Sequence, residues 1–124
     1  MYGPDRLIQE LLDLGYEVEK VAVANDNFFG VIKSYEVPVG RFQGKIIDLG
    51  IQATTDFPRT VAPAIHVLAN PQLFEKTDSI QGVRNITDSA LGSEWRYWSR
   101  NFGWQGEKSA RRLMNQIKGI FANA

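Results

Sequence analysis

Leu7, Ile8, Leu11, Leu12 and Leu14 recur at i, i+1, i+4, i+5 and i+7. That one-sided apolar stripe predicts a helix over Arg6–Leu14. Arg6, Gln9, Glu10 and Asp13 fall on its other face, Pro4 and Asp5 suit its first turn, and Gly15 suits a left-handed stop. From Tyr16 the period shortens toward two, and Tyr16, Val18, Val21 and Val23 predict a strand over Tyr16–Ala24. Asn25-Asp26-Asn27 reads as a turn, and Phe28–Val37 as the second arm of a hairpin. Pro38, Gly40 and Gly44 punctuate the next link, and Gly44–Ala53 predicts a third strand. Thr54-Thr55-Asp56-Phe57-Pro58 forms a corner. Pro63 then marks the entry to a fourth strand, Ala64–Leu68, which Asn70-Pro71 closes. Short links between successive strands predict a four-stranded antiparallel meander. Gln72–Asn101 shows no sustained period and reads as a long irregular loop, either functional or wrapped over the core. Gly106-Glu107 opens a last helix, with Ala110, Leu113, Met114, Ile117, Ile120 and Phe121 on its apolar face. The predicted class is α+β, one domain over residues 1–124.

Composition narrows the chemistry more than the fold. Hydrophobic residues make up 44% and charged residues 23%, ordinary values for a globular chain. Lys+Arg and Asp+Glu are equal at 14 each, so no global field draws nucleic acid or an anionic membrane. The first thirty residues show no basic segment followed by an apolar core, and no apolar run has membrane-spanning length. A cytoplasmic protein is the expectation. Cysteine is absent, which removes disulfides, thiolate metal ligands and thiol nucleophiles together.

Few residue clusters carry chemistry. Trp95, Tyr97, Trp98, Phe102 and Trp104 are the densest aromatic group. With Arg96 and Arg100 they could form a partner surface or a stacking platform for single-stranded nucleic acid. The plainer reading is that the rings fill space against the sheet. His66 is the sole histidine and has no second histidine or cysteine at ligand spacing, so it reads as structural, with a general base as the alternative. Thr87, Asp88 and Ser89 offer oxygen atoms, but no base lies near them in sequence, so loop capping is the simpler role. Gly40-Arg41-Phe42-Gln43-Gly44 precedes a strand, not a helix, and reads as a hairpin turn instead of a phosphate loop. Lys108, Arg111, Arg112 and Lys118 make a basic, solvated face on the last helix.

Phe42-Gln43-Gly44, the Asp56-Phe57-Pro58 corner, Pro63, Asn70-Pro71, and Trp95-Arg96-Tyr97-Trp98-Ser99-Arg100-Asn101 followed by Trp104 and Gly106 form a further pattern. With the predicted element order, it resembles the E2 ubiquitin-conjugating (UBC-like) superfamily. The tryptophan segment is similar to that of the prokaryotic E2-like family E. Such proteins work beside an E1-like adenylating enzyme, a ubiquitin-like protein and often a JAB-type peptidase. An E2 accepts its cargo on a cysteine thiolate, which is nucleophilic and then a good leaving group. Here the corresponding stretch, Asn85-Ile86-Thr87-Asp88-Ser89-Ala90, has no thiol. Ala69 stands where the superfamily's His-Pro-Asn turn has histidine, and Pro71 follows Asn70 instead of preceding it. The resemblance therefore implies an E2 shape without thioester chemistry, with no cofactor and no metal. Its implied partners are a ubiquitin-like protein, an E1-like enzyme or a catalytic E2. The first helix, through Arg6, Gln9, Glu10 and Asp13, is the implied docking face. The alternatives are acyl transfer by Ser89 or His66, and single-strand binding through Trp95, Arg96, Trp98 and Arg100.

Overall fold

Helix α1 runs Pro4–Asp13, with Pro4 in its first turn and Leu7 and Leu11 fully buried. Its polypeptide then turns through Gly15, whose φ of 96° is the left-handed conformation that glycine takes without strain. The structure is a computed structural model that describes residues 2–23, 27–74, 86–99, 102–104 and 108–123. Strands follow as β1 Val18–Val23, β2 Asn27–Glu36, β3 Ile46–Ala53, β4 Ala64–Leu68, β5 Ile86–Ser89 and β6 Gly92–Ser99, and helix α2 spans Ala110–Asn123. Of the expected turn, Asn25 and Asp26 lie outside the described residues, as do Gly106 and Glu107 ahead of the last helix.

One antiparallel sheet takes all six strands in the order β1-β2-β3-β4-β6-β5. This corrects the expected four-stranded meander with its irregular loop. Residues 86–99, read as loop, form a hairpin that extends the sheet beyond β4. Burial along β6 grades from exposed Gly92–Glu94 through Trp95–Tyr97 to buried Trp98 and Ser99, so its Trp-Arg-Tyr-Trp run lacks the apolar-polar alternation that marks a strand with one wet face. Of the rest of the expected loop, residues 72–74 are described and form neither helix nor strand, and residues 75–85 and 100–101 lie outside the described residues.

The two helices cover one face. Leu7 and Leu11 approach Gly30 of β2, while Phe121 of α2 packs against Tyr35 and Trp98 at ring-centroid distances of 6.1 and 5.6 Å. Ile32, Leu49, Ile51, Ile65, Val67, Ile86 and Trp98 complete this core from five strands. Burying each such side chain contributes about 1.5–3 kcal/mol, so this face dominates the stability. The Asp-Phe-Pro corner is fixed from two sides: Gly3 N–H donates to the Phe57 carbonyl at 2.9 Å, and Trp104 Nε1 donates to the Pro58 carbonyl at 2.7 Å.

Candidate functional site

The opposite face of the sheet carries the unusual chemistry. Strand register lines up Glu19, Val31, Gly50, His66, Tyr97 and Thr87 in one row across all six strands. Among the described residues no helix covers this row. The tip of the β5–β6 hairpin bends over it instead. Pairing jumps from Asp88–Arg96 to Ser89–Gly92, so Ser93, Glu94 and Trp95 have no counterpart in β5 and the tip curls. Gly50 makes room for it: a Cβ there would sit 2.6 Å from Leu91 Cδ1 and 3.4 Å from Trp95.

Under this tip lies His66, only 3% exposed. Its Nδ1 is 2.7 Å from Ser89 Oγ, and Ser89 Oγ also accepts from the Leu91 backbone N–H at 3.0 Å. Phe29 and Tyr97 present ring edges to the imidazole at 4.9 and 5.3 Å between centroids. Nε2 is buried and has no hydrogen-bond partner among the described residues. Burial without a compensating carboxylate pulls the His66 pKa down to about 4, so the ring is neutral near pH 7. Beside it opens a hollow of about 350 Å³, reached by His66, Phe29, Tyr97, Asn27, Gln52 and Asp88.

Sequence reasoning named Ser89 and His66 separately and saw no base for the serine. The sheet brings them together across 23 residues. Chemically the pair is a hydroxyl beside a neutral base, the first two members of a serine nucleophile system. Among the described residues the third member is missing, since no acid there orients Nε2, and a ring with so low a pKa is a weak proton acceptor. Ser89 itself does not line the hollow, whereas its neighbours Thr87, Asp88 and Ala90 do. The geometry is that of a clasp holding the hairpin tip onto the sheet.

The other predicted site residues are dispersed. Asn70 lines a separate groove of about 250 Å³ with Ile46, Ala69, Pro71 and Leu73, so Asn70 and Ser89 do not build one centre. Trp98 is completely buried and belongs to the core, which takes it out of any surface for partners or bases. Trp95 is half-buried against Gly50, and Arg96 donates to the carbonyls of Ser93 and Trp95 at 3.0 and 3.2 Å, bracing the bend. Arg100 lies outside the described residues. On α1, Gln9 donates to Asp13 at 2.9 Å, and Arg6 pairs with Glu10 one turn on. Glu10 is also used internally: its Oε1 accepts from the Ala110 N–H at 2.8 Å, satisfying an orphan donor at the start of α2. Sequence reasoning missed that role, since the two residues are 100 apart.

Among the described residues no group of three or more metal-ligating side chains converges. Among the described residues no helix is long and apolar enough to cross a membrane. No protein-family model, no curated protein and no solved structure matches this chain.

Proposed function

We propose that this chain is a non-catalytic E2-like module of a bacterial ubiquitin-like protein modification system, binding a ubiquitin-like protein, an E1-like enzyme or a catalytic E2. The observation that carries the choice of binding over chemistry is the Ser89 hydroxyl, tied between His66 and Leu91 N–H in a chain without cysteine. The E2-like reading itself rests on the sequence resemblance. Docking falls to the outer side of α1, where Gln9 and Asp13 are accessible and Leu12 is 45% exposed. Titration calorimetry against a ubiquitin-like protein and an E1-like enzyme of a bacterial conjugation system tests the proposal. Saturable binding that a charge reversal at Asp13 weakens supports it, and no binding to any of them refutes it.

A second reading, acyl transfer by Ser89 or His66, draws on the 2.7 Å contact between them. Incubation with an activated ubiquitin-like carboxyl terminus and intact-mass measurement separates the two. An adduct that disappears in Ser89→Ala favours the enzyme, and an unmodified chain favours the module. Single-strand binding through the Trp/Arg segment has no such observation behind it.

A further inference from the structure

Helix α2 turns a basic side to solvent that neither the core nor the α1 docking face uses. Ala110, Leu113, Met114, Ile117, Ile120 and Phe121 are buried. Arg111, Asn115, Lys118 and Ala122 recur at i, i+4, i+7 and i+11 on the other side, and all four are exposed. No acidic residue lies on the helix. Among the described residues the ion pairs run Arg6–Glu10, Lys20–Asp5 and Lys33–Asp48, and neither Arg111 nor Lys118 takes part in one. Glu10 and Asp13 line a hollow with Arg111, but their carboxylates are engaged on α1. Glu10 takes Arg6 and the Ala110 N–H, and Asp13 takes the Gln9 amide.

Gly119 sits on the same side, one turn beyond Asn115, inside the helix. Glycine destabilises a helix interior relative to alanine, so it calls for a reason there. Its φ is not positive, and a Cβ built on it meets nothing within 4 Å. Neither conformation nor crowding among the described residues therefore requires glycine. What glycine supplies is room for a second backbone to approach from outside. The cations flanking it select the sign of that neighbour. Two turns separate Arg111 from Lys118, about 10.5 Å, and carboxylates seven residues apart on another helix repeat at the same distance. Nucleic acid is disfavoured: 14 acidic and 14 basic residues leave no long-range field for a polyanion, and this side of α2 has no ring on which bases stack. We propose that the outer side of α2 docks an acidic helix of a partner protein. Its backbone passes close to Gly119, and its carboxylates pair with Arg111 and Lys118. This surface lies on a different helix from the α1 face and holds whether or not the chain serves a conjugation system.

The test is an NMR titration of the ¹⁵N-labelled chain, at low salt, with a synthetic alanine-based helix bearing two rows of glutamates that each repeat every seven residues. The same helix with glutamine in place of glutamate and a single-stranded oligonucleotide of equal charge are the controls. Saturable shifts at the Arg111, Asn115, Lys118 and Gly119 amides are expected with the acidic helix, and none with the glutamine helix. Lys118→Glu is expected to weaken binding by about tenfold, since an exposed ion pair becomes a repulsion. Gly119→Gln is expected to weaken it by a similar factor while raising the melting temperature of the free chain by about 2–6 °C, because glutamine is the better helix former. A glycine that serves only the fold would not give that rise. No saturation with the acidic helix, equal shifts from the glutamine helix, tighter binding of the oligonucleotide, unchanged affinity in Lys118→Glu, or a lower melting temperature in Gly119→Gln overturns the proposal.

Discussion

His66 concentrates the residue-scale physics of the helix-free face. An unfolded chain protonates it near its ordinary pKa of 6.5, whereas the folded chain does so only near 4. Between those values the unfolded state binds more protons, so stability is full above about pH 6.5 and falls as pH drops toward 4. A shift of that size corresponds to about 3 kcal/mol, read from a group almost wholly shielded from solvent. Urea unfolding near neutral pH and near pH 5 measures the loss, and His66→Gln is expected to flatten that part of the pH dependence. Ser89→Ala is expected to destabilise the fold by about 1–3 kcal/mol, since it strands Nδ1 and the Leu91 N–H together. The same measurement checks it. A negligible loss in Ser89→Ala would mean that the clasp does not hold the hairpin tip.

At the scale of elements, the decisive contacts are those that join helices to one another and to the turns. Glu10 links α1 to α2 by accepting from Ala110 N–H while pairing with Arg6, and Ser109 Oγ accepts from Arg112 N–H at 3.3 Å to complete the cap. Glu10→Ala is expected to lower stability by about 1–2 kcal/mol, with Glu10→Gln costing less because an acceptor remains. Thermal melts of the two variants decide it. Gly40 joins the other end: its φ is 84°, and a Cβ there would lie 2.1 Å from the Phe121 carbonyl oxygen of α2. A clash with backbone cannot be relieved by a rotamer change, so Gly40→Ala is expected to cost more than about 2 kcal/mol, with a melting temperature several degrees lower.

For the molecule as a whole, the hairpin of β5 and β6 is integral to the core. Trp98 and Ile86 pack in the same cluster as Leu113, Ile117 and Phe121 of α2. Tryptophan fluorescence and far-ultraviolet circular dichroism are therefore expected to report one shared unfolding transition. Separate transitions would show that the hairpin is an appendage. The two faces also divide their roles. The helix-covered face holds the main core, and the face under the hairpin tip holds the buried imidazole and the hollow beside it.

Local periodicity is the part of this fold that the amino-acid order determines by itself. The stripe of Leu7 and Leu11, the runs Phe28–Val37 and Ala64–Leu68, and the apolar face from Ala110 to Phe121 follow from spacing, and helix α1, strands β2 and β4 and helix α2 stand there. The lack of a thiol is likewise complete in the sequence. Tertiary structure alone decided that Trp95–Ser99 would pair with β4, because burial along β6 grades from exposed Gly92–Glu94 to buried Trp98 and Ser99 instead of alternating. It alone set Ser89 on His66 and Glu10 on Ala110, contacts that span 23 and 100 residues. Spacing along a chain encodes which face a side chain takes on its own element. Which distant element that face meets depends on register, bulges and the space left by a residue such as Gly50.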